Sequence, residues 1–370
     1  MRLVYMGTPL FAVPALARLC AAGLAPLAVY SQPARPTGRG LQTAQPPVAQ
    51  KALALGLPLR QPETLQTRAE LAFLRELAPD VILTAAYGKI FRPSLLGLPR
   101  RGCLNLHPSL LPLHRGLSPI QRAILRGEAT TGVTLYRMTG DVDAGPVVAQ
   151  VETPIGAQET GGQLTQRLAL LAAELAVTRL EAWASGELPE RPQDEERASF
   201  APRLDRADGR IDWRLPAQQV ERLVRAFSAW PGAYTYCRAT RVKLIEVEAL
   251  DEIPRRVPPG TILAGGRGMT PCVAALPGAV ALRVVQPENC RPQEGIAFCC
   301  GRRLRPGHRL TGEPAPALPL GEGSGPAAGL GAAAAEGPFG RAGTAEPPRG
   351  MAGAPAARAR RPGGPDAGAG

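Results

Sequence analysis

Short apolar runs alternate with helical spacings over the first half of this chain. Residues 3–6 are apolar and stop at Gly7-Thr8-Pro9; Phe11, Pro14, Ala15, Leu16 and Leu19 then recur at helical spacing up to Gly23. The pattern predicts a strand, a tight turn and a helix, with Pro14 tolerated because it falls in the first helical turn. Residues 27–30 and 57–59 predict two further strands, and 81–86 is a continuous apolar run of the kind a parallel sheet buries on both faces. A strand ending on Asn105 and His107, strands at 133–138 and 147–151, and a long Leu/Ala-spaced helix from 158 to 183, ending before Gly186, complete the series. Strands alternating with helices define an α/β, Rossmann-like doubly wound domain over residues 1–186.

Residues 187–209 are charged, proline-containing and weakly periodic, which predicts a linker. Beyond it come Arg210-Ile211-Asp212-Trp213 and a helix whose apolar face is Val220, Leu223, Val224 and Phe227. Five short strands follow, at 233–237, 242–249, 260–263, 272–275 and 280–285, separated by Gly and Pro; they predict a small OB-like β-barrel over 210–310. The last 60 residues hold 17 Ala, 15 Gly and 10 Pro, too few apolar side chains for a core, so 311–370 is expected to be a disordered tail.

Charge adds to this picture. Residues 1–150 carry 16 Lys/Arg against 7 Asp/Glu, residues 151–210 carry 7 against 11, and residues 211–310 carry 15 against 8. Two basic lobes flanking an acidic stretch suit a polyanion that touches both, although an arginine-rich solvated surface has the same arithmetic. Seven cysteines without a C-x-x-C spacing read as reduced thiols, with neither a disulfide framework nor a metal site. The chain shows no leader pattern and no run of 18 apolar residues, so a cytoplasmic protein without a membrane span is expected.

The candidate chemistry lies between Gly102 and Pro146. Asn105 and His107 are two apart on one strand and share a face, at the strand's carboxyl end where open α/β sheets form their sites. Asp143 sits in an Asp-Ala-Gly-Pro loop whose glycine lets backbone approach closely. An amide donor, an imidazole and a carboxylate suit acyl transfer: Asn and a protonated His hold the developing oxyanion, and the carboxylate relays the proton. No G-x-S-x-G turn supplies a nucleophile, and Cys103 reads as a small buried apolar residue. A strand-end His also occurs as a plain loop cap. A dehydrogenase is disfavoured, because G-x-G-x-x-G is missing after the first strand and no acid follows the second. The stretch 32–40 is a loop stiffened by prolines, hinged at glycines and able to offer two arginines to phosphate.

Asn105-Leu106-His107-Pro108-Ser109-Leu110-Leu111-Pro112, Arg115-Gly116, Thr131-Gly132-Val133-Thr134 and Asp143-Ala144-Gly145-Pro146, in that order, resemble the folate-dependent formyltransferase family. Gly7-Thr8-Pro9, the 32–40 loop, Ala86-Tyr87-Gly88 and Arg210-Ile211-Asp212-Trp213…Trp230-Pro231 are similar to its members that act on initiator tRNA; the match covers roughly residues 1–310. The resemblance implies transfer of the formyl group of 10-formyltetrahydrofolate to the α-amine of methionyl initiator tRNA. The lack of a coiled-coil pattern favours a monomer, and no metal is expected. It implies catalytic roles for Asn105, His107 and Asp143, and folate contacts at Ser109, Leu110, Leu111 and Pro112 and at Ala86, Tyr87 and Gly88. It implies tRNA contacts at Phe11, Arg35, Gly38, Arg39, Gly40 and Arg203, and a tRNA-holding basic face on the barrel. Other formyltransferases or a formyltetrahydrofolate hydrolase share the three polar residues and stand as alternatives. The chain departs from the family pattern at Ala34, Leu117-Ser118, Phe200 and Arg203, in the segment 288–300 and in the tail.

Overall fold

The computed structural model describes residues 1–37, 42–251, 257–263 and 269–313. Its first sheet has seven strands: β1 (Leu3–Gly7), β2 (Ala28–Tyr30), β3 (Leu59–Arg60), β4 (Val81–Ala85), β5 (Cys103–His107), β6 (Thr130–Arg137) and β7 (Val147–Pro154). They lie in the order 7-6-5-4-1-2-3. The first five are parallel, and the last two run antiparallel at one edge. The order reverses between β1 and β4, so the carboxyl ends of β1, β4 and β5 open onto one crevice, the usual place for a ligand in such sheets.

Strand alternation divides the core. Leu3, Tyr5, Leu83, Leu104 and Leu106 face one side and pack with the stripe Leu164, Leu168, Leu175 and Leu180 of a long helix. Val4, Met6, Ile82 and Cys103 face the other, with Leu74. The longer helices are α1 (Val13–Ala21), α2 (Pro47–Ala54), α3 (Arg68–Leu77), α4 (Pro119–Arg126) and α5 (Gly161–Ser185). In α5 Thr160 and Gln163 bond each other's backbone N–H at the start, and Gly186, at φ 91°, ends the helix. Pro14 lies in the first turn of α1, as expected. The 32–40 segment is not simply a loop: Arg35–Thr37 pairs antiparallel with Gln42–Ala44.

The second sheet is antiparallel. Helix α6 (Ala217–Ala226) precedes β8 (Tyr234–Cys237), β9 (Thr240–Leu250), β10 (Cys272–Ala274), β11 (Ala279–Pro287), helix α7 (Gly295–Gly301) and β12 (Leu310–Thr311). The order is β10-β11-β9-β8-β12, and register shifts near Glu246 curl β9. The segment 260–263, expected as a strand, instead bridges the two edges. Gly260 and Leu263 donate to Ala274 and Cys272 on β10, while Ile262 donates to His308 and Gly260 accepts from Leu310 on the β12 side. A sheet whose edges share such a seam leaves few unpaired edge groups.

Within 288–300, the segment that departs from the family pattern in sequence, Gln293–Glu294 pairs antiparallel with β11 and α7 starts at Gly295. Gly295 seats against the Leu282 carbonyl with no room for a Cβ, and Phe298 is 1% exposed in the core. No helix of the described residues is long and apolar enough to cross a membrane. Replacing Phe298 by Ala should destabilise the chain by about 3–5 kcal/mol through the cavity left under α7. Urea unfolding measures this, and a loss below about 1 kcal/mol would place α7 outside the cooperative core.

Candidate active site

Strand register builds the site. Asn105 lies directly opposite Thr84 on β4 and Tyr136 on β6, so the three side chains form one row across the sheet. Thr84 Oγ1 donates to Asn105 Oδ1 at 2.6 Å, which sets the amide's orientation, and Asn105 Nδ2 donates to the Tyr136 hydroxyl at 3.3 Å. One N–H of the Asn105 amide remains beyond these two bonds. The Tyr136 hydroxyl in turn donates to Asp143 Oδ1 at 2.6 Å. Burial, and then the neighbouring Asp143 carboxylate, push the Tyr136 phenol well above its ordinary value, so it stays a donor.

His107 is 4% exposed. Its Nε2 lies 2.9 Å from the His114 carbonyl, which can only accept, so Nε2 carries a proton. The other ring nitrogen, Nδ1, lies 3.5 Å from Asp143 Oδ2. Asp143 Oδ2 also accepts the Gly116 N–H at 2.7 Å. The Asp143 backbone is left-handed, at φ 53°, a conformation that costs a non-glycine residue energy unless its surroundings hold it. Gly145 allows the loop in, since a Cβ there would overlap the Arg137 carbonyl. The structure thus links Asn105, Tyr136 and Asp143 by hydrogen bonds and sets His107 Nδ1 3.5 Å from the same carboxylate.

The 109–112 turn is pinned from beneath by Thr134. Its hydroxyl donates to the Ser109 carbonyl at 2.6 Å and accepts the Leu111 N–H at 3.0 Å. The Ser109 and Leu111 side chains are buried, while Leu110 and Pro112 keep some exposure. At the end of β4, Ala86 (φ 46°) and Gly88 (φ 78°) are exposed, and the Tyr87 ring is buried against Phe91. The Tyr87 carbonyl accepts from Thr8 and Gln32. Cys103 is 1% exposed and burial pushes its thiol up to about 12, which suits a core residue and not a nucleophile.

Of the residues expected to meet tRNA, Arg35 and Arg203 are exposed. Gly38, Arg39 and Gly40 lie outside the described residues. Phe11 sits in a 3-10 turn and packs into the core at 7% exposure.

The stretch 187–209 is no loose connector. Phe200–Ala201 pairs with Arg115–Gly116 as a second small sheet, and Ser199 accepts the backbone N–H groups of both His114 and Arg115. Gln193 Nε2 donates to the Asp143 and Gly145 carbonyls at 2.8 and 2.7 Å, while its Oε1 accepts two N–H groups of Arg115 at 3.0 and 2.8 Å. Arg115, 4% exposed, forks onto Glu195. Thr84, Tyr136 and Gln193 are thus site residues that periodicity and motif reading do not single out, while the Arg115-Gly116 motif marks Arg115 without its partners. Only the strand register could have flagged the first two.

An amide, an imidazole and a carboxylate gathered beside the carboxyl end of β5 suit acyl transfer. Residues 1–180 match the family described as "Formyl transferase", and residues 203–303 match "Formyl transferase, C-terminal domain". The curated relatives include the methionyl-tRNA formyltransferase of Roseiflexus sp. (strain RS-1), 44% identical over 84% of this chain and 95% of that one. Those of Thiobacillus denitrificans and Moorella thermoacetica are 42% and 41% identical over 84% of this chain and 99% of each. The chain belongs to the methionyl-tRNA formyltransferase family. Two solved structures share the fold. The N-formyltransferase of Helicobacter canadensis has a TM-score of 0.57 at 16% identity over 76% of this chain and 99% of that one. HypX of Aquifex aeolicus has a TM-score of 0.54 at 20% identity over 81% of this chain and 47% of that one.

Tyr136→Phe keeps the ring and removes only the hydroxyl between Asn105 and Asp143. It should lower kcat about tenfold or more, since a hydrogen bond to a charged group contributes about 1.5–3 kcal/mol. The raised phenol also sets a pH signature. Its folded-state value lies above the unfolded one near 10, so its stabilisation is complete below pH 10 and is lost as pH rises further. Between pH 10 and 11 the parent should lose about 1 kcal/mol more stability than Tyr136→Phe in denaturant titrations. Parallel curves would contradict a buried, protonated phenol.

Proposed function

We propose that the chain transfers the formyl group of 10-formyltetrahydrofolate to the α-amine of methionine on initiator tRNA. What carries the reading is that relatives bearing that name are 41–44% identical over most of this chain. The clustered Asn105, His107 and Asp143 support it from the chemistry.

The nucleophile comes from the substrate, which fits a site whose nearest thiol is buried and protonated. The amine's lone pair forms a bond to the formyl carbon as the carbonyl electrons move onto oxygen. The free N–H of Asn105 and a protonated His107 stabilise that oxyanion. Asp143 stabilises the imidazolium across the 3.5 Å to Nδ1 and takes part in carrying the amine's proton away. Collapse breaks the bond from the formyl carbon to folate nitrogen, and that nitrogen ends protonated. The 109–112 turn and the turned-out backbone of 86–88 hold the folate, whose planar polar edge suits exposed main-chain groups. No metal has a part in this scheme.

Residues 1–186 form the catalytic domain in this reading, 187–209 the connector and 210–310 the tRNA-binding barrel. Phosphate contacts by exposed arginines, Arg35 and Arg203 among them, position the tRNA without reading its sequence. A cytoplasmic monomer is part of the same proposal. Seven free cysteines, two of them exposed, suit a reducing compartment.

The direct test is incubation of the full chain with 10-formyltetrahydrofolate and charged initiator tRNA, following formylmethionine. His107→Ala should lower kcat by about 10²–10⁴ with the fold retained, and near-parental turnover would sink the mechanism. Release of formate without any tRNA would favour a hydrolase. Arg203→Ala should raise the KM for Met-tRNA and reduce its log–log salt slope by about one, with the KM for the folate donor unchanged. A rise in the folate KM alone would move Arg203 to the other substrate.

A further inference from the structure

We infer that Gln193, in the segment joining the two sheets, is a positioning residue for Asp143. The inference rests on the formyl-transfer reading above and adds a residue to its machinery. A single side-chain amide here makes four bonds. Both N–H groups of Gln193 are given to the carbonyls of Asp143 and Gly145, at 2.8 and 2.7 Å, so they brace the two sides of Ala144. Its oxygen takes two N–H groups of Arg115, and that guanidinium is locked in turn by Glu195. The amide cannot rotate without losing all four bonds, because its oxygen would then face two carbonyls.

The braced loop needs such a clamp. Asp143 is left-handed at φ 53°, a conformation a non-glycine residue leaves once released. From that backbone position its carboxylate accepts the Gly116 N–H and the Tyr136 hydroxyl. Gly116 itself is held by the same segment, pressed against the Ala201 carbonyl so closely that a Cβ would overlap it. The connector therefore fixes both the loop that carries the carboxylate and the N–H that receives it. Gln193 touches no reacting atom in this arrangement and acts through Asp143.

The test uses the full chain, 10-formyltetrahydrofolate and charged initiator tRNA, with Gln193→Ala, Gln193→Glu, Asp143→Ala and the double variant Gln193→Ala/Asp143→Ala. Gln193→Ala should lower kcat about 10- to 100-fold, the scale of a misplaced catalytic group, with both KM values within about twofold of the parent's. Gln193→Glu keeps the size and the acceptor for Arg115 but presents oxygen to two carbonyls, and should lose at least as much kcat. Adding Gln193→Ala to Asp143→Ala should cost less than about twofold more, because the group it positions is already gone. An unchanged kcat in Gln193→Ala overturns the proposal, as does a full independent loss in the double variant. A drop in kcat that vanishes once corrected for the folded fraction overturns it too. A parent that makes no formylmethionine refutes the formyl-transfer reading instead, which keeps the two failures apart.

Discussion

A carboxylate taken largely out of water has to be met by donors, and the arrangement around Asp143 follows from that requirement. Its two oxygens take an N–H from Gly116 and a hydroxyl from Tyr136, with an imidazole nitrogen of His107 at 3.5 Å. These groups come from three separate segments, so the carboxylate is correctly surrounded only when β5, β6 and the turn after His114 are all in place. The Asp143 backbone is strained as well, and its carbonyl is held by a fourth segment through Gln193. Sheet register, glycine placement and the path of the connector all converge on this one group.

Much of the frame was legible from side-chain alternation. Residues 3–6, 81–86 and 103–107 lie where their apolar runs predict strands, and the shared facing of Cys103, Asn105 and His107 follows from a period of two. The helix ending at Gly186 and the four barrel strands near 234, 240, 272 and 279 follow from the same kind of pattern. What escaped the pattern is what long-range pairing decides. Thr84 reads as filler in an apolar run and Tyr136 as one more strand residue, until register sets both beside Asn105. Gln193 sits in an aperiodic polar stretch, and its partners are 48 to 78 residues away in the chain. The helix at 295–301 is short and bounded by glycines, too short for its apolar spacing to predict it.

The connector also changes how the charge of the chain is to be counted. The nine net positive charges of residues 1–150 include Arg18, Arg115 and Arg137. These pair with Glu174, Glu195 and Glu190, all from the acidic stretch 151–210. Three of the nine are thus neutralised within the fold, and two of those three at the edge of the site. Buried Arg115 needs this most, since a guanidinium at 4% exposure is costly without acceptors. The acidity of the middle segment is then not a repulsive patch set between two basic lobes. It is counter-charge for Arg18, Arg115 and Arg137, while residues such as Arg35 and Arg203 stay exposed.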